Sequence, residues 1–271
     1  HLGIKSFHPI SKVPVLWVNS EGIEDENLLR VKLNKFLNNL DYVILSPASV
    51  IAFHLEEVIR SNIDKLFGVK EARFLMRVLL NHWVVRVEGK MKQLKKVFFE
   101  IFPELLSFSI YDFTKILKNL LEEGVPIGDL KTILDYLADG LGYTKDIDLL
   151  TEHIRSGLAI YISDMLARNK VIYVAELDSK LEDIIYQNFY QDKVDLSSFW
   201  DSEIYKGLST SIQKFIEYSR ANNYLPVIIT SPLVRRYLKR ILNRDFPKVH
   251  VISYLEVYKG YKTERIYVIS V

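Results

Sequence analysis

The residues best able to bind a metal are six histidines, His1, His8, His54, His82, His153 and His250, and their spacing argues against it. No two stand at the i, i+4 separation of a helical zinc pair, and no carboxylate completes a ligand set. The chain has no cysteine, which removes thiolate metal sites and disulfides together. Gly140-Leu141-Gly142 is the one close pair of glycines, but Lys145 stands where a dinucleotide fingerprint has its third glycine. The segment also follows a helical pattern where that fingerprint follows a strand. Neither a GxxxxGK[ST] phosphate loop nor a GxSxG nucleophile elbow occurs. The adjacent carboxylates Glu56-Glu57 and Glu122-Glu123 read as solvated helix faces. Arg235, Arg236, Lys239, Arg240 and Arg244 gather on one helix, and Lys90, Lys92, Lys95 and Lys96 form a second basic group. Either can meet nucleic acid, but cations near a helix C-terminus are favoured by the helix dipole alone. No catalytic residue, cofactor site or metal site follows from these patterns, and the chain reads as a non-enzyme.

The elements that would carry such residues are legible in the apolar spacing. The 271 residues are 49% apolar and 26% charged with a net charge of +2, the balance of a globular chain with real cores. No apolar run approaches the ~18–20 residues that span a bilayer. Val13–Val18 and Tyr42–Leu45 read as strands, with a short helix over Glu24–Asn39 between them. From Val50 to about Ala167 the pattern is helical. Leu55, Val58, Ile59, Ile63 and Leu66 lie on one stripe. Ser109 to Asp112 has the form of a capping box that opens a helix through Leu121, which Gly124 and Pro126 stop. Asp129 caps the next helix, with Gly140 as its terminator, and Asp146 begins a longer one through Leu150, Ile154, Leu158 and Tyr161. Strands at Val171–Leu177, Pro226–Thr230, Val249–Ser253 and Arg265–Val271 then alternate with helices over Ser179–Phe189, Asp201–Arg220 and Ser231–Asn243. The fold class is α+β in several subdomains: a small α/β N-terminal remnant, a central all-helical part and a C-terminal α/β part.

Three stretches resemble the flagellar/hypersensitivity/invasion export-pore family of type III secretion gates. Ser49–Met76 is similar to its "HL…V…LG..E…LL" passage. Ile116–Tyr136 is similar to "VLQNLLxExVPIRDxRTILE", and Lys145–Tyr161 to "D…LTEyVRxxL". Pro226–Ser231 and Val249–Glu256 resemble "PVLLxS" and "xVLSyxE", and Trp17 lies in a stretch like "A[VI]W[IV]". The resemblance implies a cytoplasmic half of four subdomains behind a transmembrane half that this sequence lacks. Residues 1–46 would belong to the second subdomain and 47–66 to a helix returning to the first. The helical third would span 67–168 and the α/β fourth 169–271. It implies a soluble fragment at the cytoplasmic face of the bacterial inner membrane, assembled with itself into a ring, typically of nine. Implied partners are chaperone–substrate complexes, a gatekeeper protein and the ATPase stalk, with no nucleic acid and no cofactor.

In flagellar members an Asp-Pro-x-Phe-Gly segment and a threonine before a histidine form a dimple for chaperone–cargo complexes. Here His8, Pro9 and Ser11 stand in the first, and Phe53 and His54 in the second, with only Pro9 and His54 matching. These five are the candidate partner-binding residues. The stretches LTEHIRSGLAIYI and VIRSNIDKLFGVKEARFLM resemble the virulence-injectisome branch more closely than its flagellar counterpart. Asp129, Lys131, Glu152 and Arg155 are the candidate ring contacts, since the last two fall off the Leu150, Ile154, Leu158 stripe and should be exposed. A repeated head-to-tail contact between such charges closes into a ring if the rotation permits, although each exposed pair contributes little alone. Two readings from other classes stand beside this one, a basic nucleic-acid-binding module and an α/β enzyme with a helical lid.

Overall fold

A computed structural model describes residues 4–7, 14–17, 47–86, 105, 108–191 and 195–270. The chain divides into two compact units, His1–Leu66 and Phe67–Val271. In the first, β1 (Ile4–Phe7) pairs antiparallel with β2 (Pro14–Trp17), in the register Ile4 to Trp17 through Phe7 to Pro14. Helix α1 (Pro47–Ser61) and the single turn α2 (Ile63–Leu66) follow. The expected stripe is helical but faces outward: Leu55 is 55% and Leu66 60% exposed. The strand expected at Tyr42–Leu45, the helix over Glu24–Asn39 and the lysines at 90–96 lie outside the described residues.

The second unit opens with α3 (Val69–Arg86) and then a helical layer, α4 (Ile110–Glu122), α5 (Leu130–Leu141), α6 (Ile147–Gly157) and α7 (Ala159–Leu166). Each start has its chemical cause. Ser109 accepts from the Tyr111 N–H, Asp129 from the Thr132 N–H, and Asp146 from those of Asp148 and Leu149. Phe113, Ile116, Leu117 and Leu120 form the buried face of α4. The helix ends in a Schellman motif: Gly124 N–H bonds the Leu121 carbonyl, Val125 N–H bonds that of Leu120, and Gly124 has φ +75. A side chain at Gly124 would meet only Met165 Sδ at 4.0 Å, so what glycine supplies here is backbone freedom. Gly124→Val is therefore expected to destabilise by roughly 1–2 kcal/mol. Urea melts of parent and variant check this, and coincident curves would refute it.

Gly140 does not end its helix. Helix α5 runs on to Leu141, and a Cβ at Gly140 would lie 2.8 Å from Leu150 Cδ2. Its role is to let α5 and α6 approach closely. The long helix expected from Asp146 through Tyr161 is broken at Leu158, whose N–H is shared between the Ile154 and Arg155 carbonyls.

A two-residue turn, Asn169 and Lys170 at φ 53 and 63, carries the chain from the helices into β3 (Val171–Leu177). With β4 (Val227–Thr230), β5 (His250–Ser253) and β6 (Lys262–Ile269) it forms a parallel sheet in the order β5-β4-β3-β6. The β3-to-β4 crossover contains α8 (Ser179–Ile185), a π-helical turn over Tyr186–Gln191, α9 (Leu196–Trp200) and α10 (Glu203–Ala221). Helix α11 (Pro232–Asn243) joins β4 to β5, and a 3-10 turn, Tyr254–Glu256, follows β5. All four residues of β4 are buried, as expected of an inner strand covered on both faces. Ile172, Val174, Val227, Ile229 and Ile252 pack into the core of the helical layer with Leu120, Ile154 and Ile162. On the opposite face Leu177, Ile228 and Val251 meet Ile185, Leu208, Phe215 and Leu238. The second unit is thus three layers thick, helices, sheet and helices, and no described helix is long and apolar enough to cross a membrane.

Candidate functional site

Helix α11 is amphipathic in an unusual sense. Val234, Leu238, Ile241 and Leu242 enter the second core, while Arg235 and Lys239, one turn apart, are also buried. Arg235 reaches instead to the end of α4 and to α6. All five guanidinium N–H groups of Arg235 are used. Nε donates to Glu152 Oε2 at 2.5 Å, Nη1 to Glu123 Oε2 at 2.6 Å and the Val251 carbonyl at 3.3 Å, and Nη2 to Glu123 Oε1 at 3.1 Å. A further bond joins Nη2 to Glu152 Oε1. Arg155 Nε donates to Glu256 Oε1 at 2.5 Å, and its Nη1 lies 3.2 Å from Glu123 Oε2. The second oxygen of Glu256 accepts from Ser253 N–H, closing a capping box on the 3-10 turn. Lys239 Nζ donates to the Pro247 and Val249 carbonyls, both at 3.0 Å.

Three carboxylates, Glu123, Glu152 and Glu256, thus pair with two arginines, Arg155 and Arg235, while Lys239 beside them spends its donors on backbone carbonyls. The cluster joins the end of α4 and the middle of α6 to α11 and the segment after β5. Glu123 caps the C-terminus of α4, where the helix dipole disfavours an anion. Burial also pushes its pKa up, but Arg155 and Arg235 prevail and hold the carboxyl at about 2. Burial pushes Glu152 above the usual carboxylate range against the pull of Arg235 and Arg155. Burial works against the charge on Arg235 as well, yet Glu123, Glu152 and Glu256 raise its pKa well above the ordinary value. At the start of β5, burial and then Lys239 press His250 down to about 4, so it is neutral at pH 7. Beside the cluster a polar cleft of roughly 230 Å³ opens between α4, α6 and α11, and an Arg240–Asp148 ion pair joins α11 to α6 along it.

Several sequence expectations change here. Glu152 and Arg155 are not exposed: their partners are inside the chain, and the Arg155 side chain is 3% accessible. The one-stripe argument fails because α6 touches α4, α5, α7 and the 3-10 turn, so more than one of its faces is covered. Glu123 is not a solvated surface carboxylate either, since α11 covers it. Asp129 spends its oxygens on Thr132 N–H, Thr132 Oγ1 and the Tyr161 hydroxyl. Lys131 does stand at the surface, paired with Asp135 at 3.0 Å. Two of the five cations gathered at this helix are inside, Arg235 and Lys239; of the others, Arg240 pairs with Asp148, and Arg236 and Arg244 lie over Tyr237 and Trp200. His8, Pro9 and Ser11 lie outside the described residues, while Phe53 is placed on α1 beside a half-buried His54. Among the described residues no His, Cys, Asp or Glu cluster is arranged to hold a metal.

Four members of the cluster, Glu123, Glu152, Arg155 and Glu256, were already visible in the sequence as the charged letters of three separate motifs. Nothing local said that they meet. A helical layer fixed by a buried ion cluster to a parallel α/β sheet defines a multi-part α+β scaffold. The chain belongs to the FHIPEP family, which matches residues 3–262.

Its relatives agree. The flagellar biosynthesis protein FlhA of Bacillus subtilis is 30% identical over 270 residues, 99% of this chain and 36% of that relative. The chain thus spans about a third of the length of the curated relatives it matches. The Chlamydia pneumoniae CdsV protein, solved in complex with CdsO, shares the fold with a TM-score of 0.68 at 22% identity, over 98% of this chain and 70% of that one. The nonameric EscV cytosolic domain from a type III secretion system does so with a TM-score of 0.62 at 21% identity, over 97% of this chain and 71% of that one.

Proposed function

We propose that this chain is part of the cytoplasmic domain of a type III secretion export gate, a ring at the inner face of the bacterial inner membrane that receives chaperone–substrate complexes. Family membership over residues 3–262 carries the reading, and a shared fold with the nonameric EscV domain supports the ring. In this reading the chain works by recognition, with a gatekeeper protein and the ATPase stalk as further partners; the CdsV–CdsO complex supports a partner beyond self. A place in the virulence-injectisome branch rests on the stretches 58–76 and 150–162.

With Arg155 buried and the half-buried Glu152 paired inside the chain, this reading looks for the ring contact among other residues of the helical layer. Lys131 and the half-exposed Asp129, at the start of α5, are the remaining candidates. The purified chain is expected to form closed rings in a concentration-dependent way, read by native mass spectrometry and negative-stain imaging. Lys131→Glu is expected to weaken them while leaving the melting curve in place. A chain that stays monomeric at the highest soluble concentration, or grows into open filaments, overturns the ring; rings unaffected by Lys131→Glu move the contact elsewhere.

A further inference from the structure

Beneath the cluster lies a cavity of about 10 Å³, lined by Glu123, Arg155, Lys239 and His250 on its polar side and by Ile162 and Val251 among its apolar walls. A cavity of this size holds one water and little more. Its polar wall carries unused hydrogen-bonding capacity. Arg155 is 2% exposed and its Nη1 makes no hydrogen bond, the 3.2 Å approach to Glu123 Oε2 lacking the geometry for one. Lys239 Nζ has three N–H groups, and two of them reach the Pro247 and Val249 carbonyls. The half-buried His250, with its pKa pressed down to about 4, is neutral at pH 7 and so presents one donor and one acceptor nitrogen. An unpaired donor on a buried cation is costly, and a bridging water relieves it nearly as well as a direct bond.

We propose that this cavity is a binding site for a single structural water, which accepts from Arg155 Nη1 and Lys239 Nζ and donates toward Glu123 or His250. Arginine and lysine donors around a pocket also suit a small anion. Water is favoured because the volume is about that of one water and an anionic residue, Glu123, is part of the lining. The water links the ion cluster to β5, where the cluster has no direct side-chain bond to His250 among the described residues.

The methyl groups of Ile162, Met165, Leu166, Val251 and Ile252 line the same cavity and serve as reporters. In methyl-labelled protein, these five are expected to show water cross-relaxation of the sign that marks a residence time longer than tumbling. Methyls of the second core, such as Ile212 and Ile241, should not. A crystal structure of the chain should place one solvent peak within hydrogen-bond distance of Arg155 Nη1, with no anomalous signal after growth in bromide. Cross-relaxation absent at the five methyls, a dry cavity in the density, or a bromide signal at the site would each overturn the proposal.

Discussion

Arg235→Ala is expected to destabilise the chain by about 3–5 kcal/mol, enough to unfold most single domains at moderate temperature. The side chain is fully buried and bonds Glu123 and Glu152 at once. Its removal leaves Glu152 without its ion-pair partner and Glu123 with Arg155 alone. The loss reflects those stranded charges more than the net worth of the ion pairs. Arg235→Met with Glu123→Gln and Glu152→Gln is therefore expected to recover much of it, because replacing buried ion pairs by neutral groups is often close to neutral. Arg240 gives the contrast. Its pair with Asp148 has side-chain exposures of 46% and 32%, so Arg240→Ala should cost about 1 kcal/mol or less. Urea denaturation of the four proteins decides the matter. Equal losses for Arg235→Ala and Arg240→Ala would show that the cluster is no more than a surface network. By the same reasoning a charge reversal at Arg155 reports on folding and says nothing of assembly.

Acid should unfold the protein in two stages, the first belonging to His250. Its pKa falls from an ordinary 6.5 to about 4 in the folded chain, through burial and the nearby charges of Lys239 and Arg155, against the pull of Glu123. The unfolded chain therefore takes up this proton first. Stability is intact above about pH 6.5 and is lost as the pH falls toward 4, by about 2–3 kcal/mol after allowance for partial solvent screening. Glu123 adds a second stage. With its pKa lowered from 4.5 to about 2, its contribution is present above 4.5 and lost as the pH falls toward 2. Glu152, with a raised pKa, acts in the opposite direction over its own range. His250→Gln separates the stages: the slope of urea midpoint against pH between 6.5 and 4 should flatten relative to the parent, while the decline below 4.5 remains. Parallel slopes would mean that His250 is solvated and does not face the cluster.

Local chemistry determined much of this protein from the sequence alone. The caps at Ser109, Asp129 and Asp146, the stop at Gly124 and the alternation of strands and helices after Asn169 depend on a few neighbouring residues, so each was legible in its own stretch. The family resemblance was legible for the same reason, since its motifs are short runs. Three features were decided only by packing. Gly140 looked like a terminator because its role against Leu150 involves a helix that begins seven residues later. Leu158 breaks a helix whose apolar periodicity continues without interruption. Above all, Glu152 and Arg155 read as surface charges because a helical wheel assumes one buried face, and α6 is covered on more than one. The ion cluster joins residues 123, 152, 155, 235 and 256, which are up to 133 positions apart. A charge in a sequence carries no mark of its burial; that depends on whether a distant opposite charge arrives to offset its desolvation, and here only the meeting of the helical layer with α11 and the end of β5 brings those partners together.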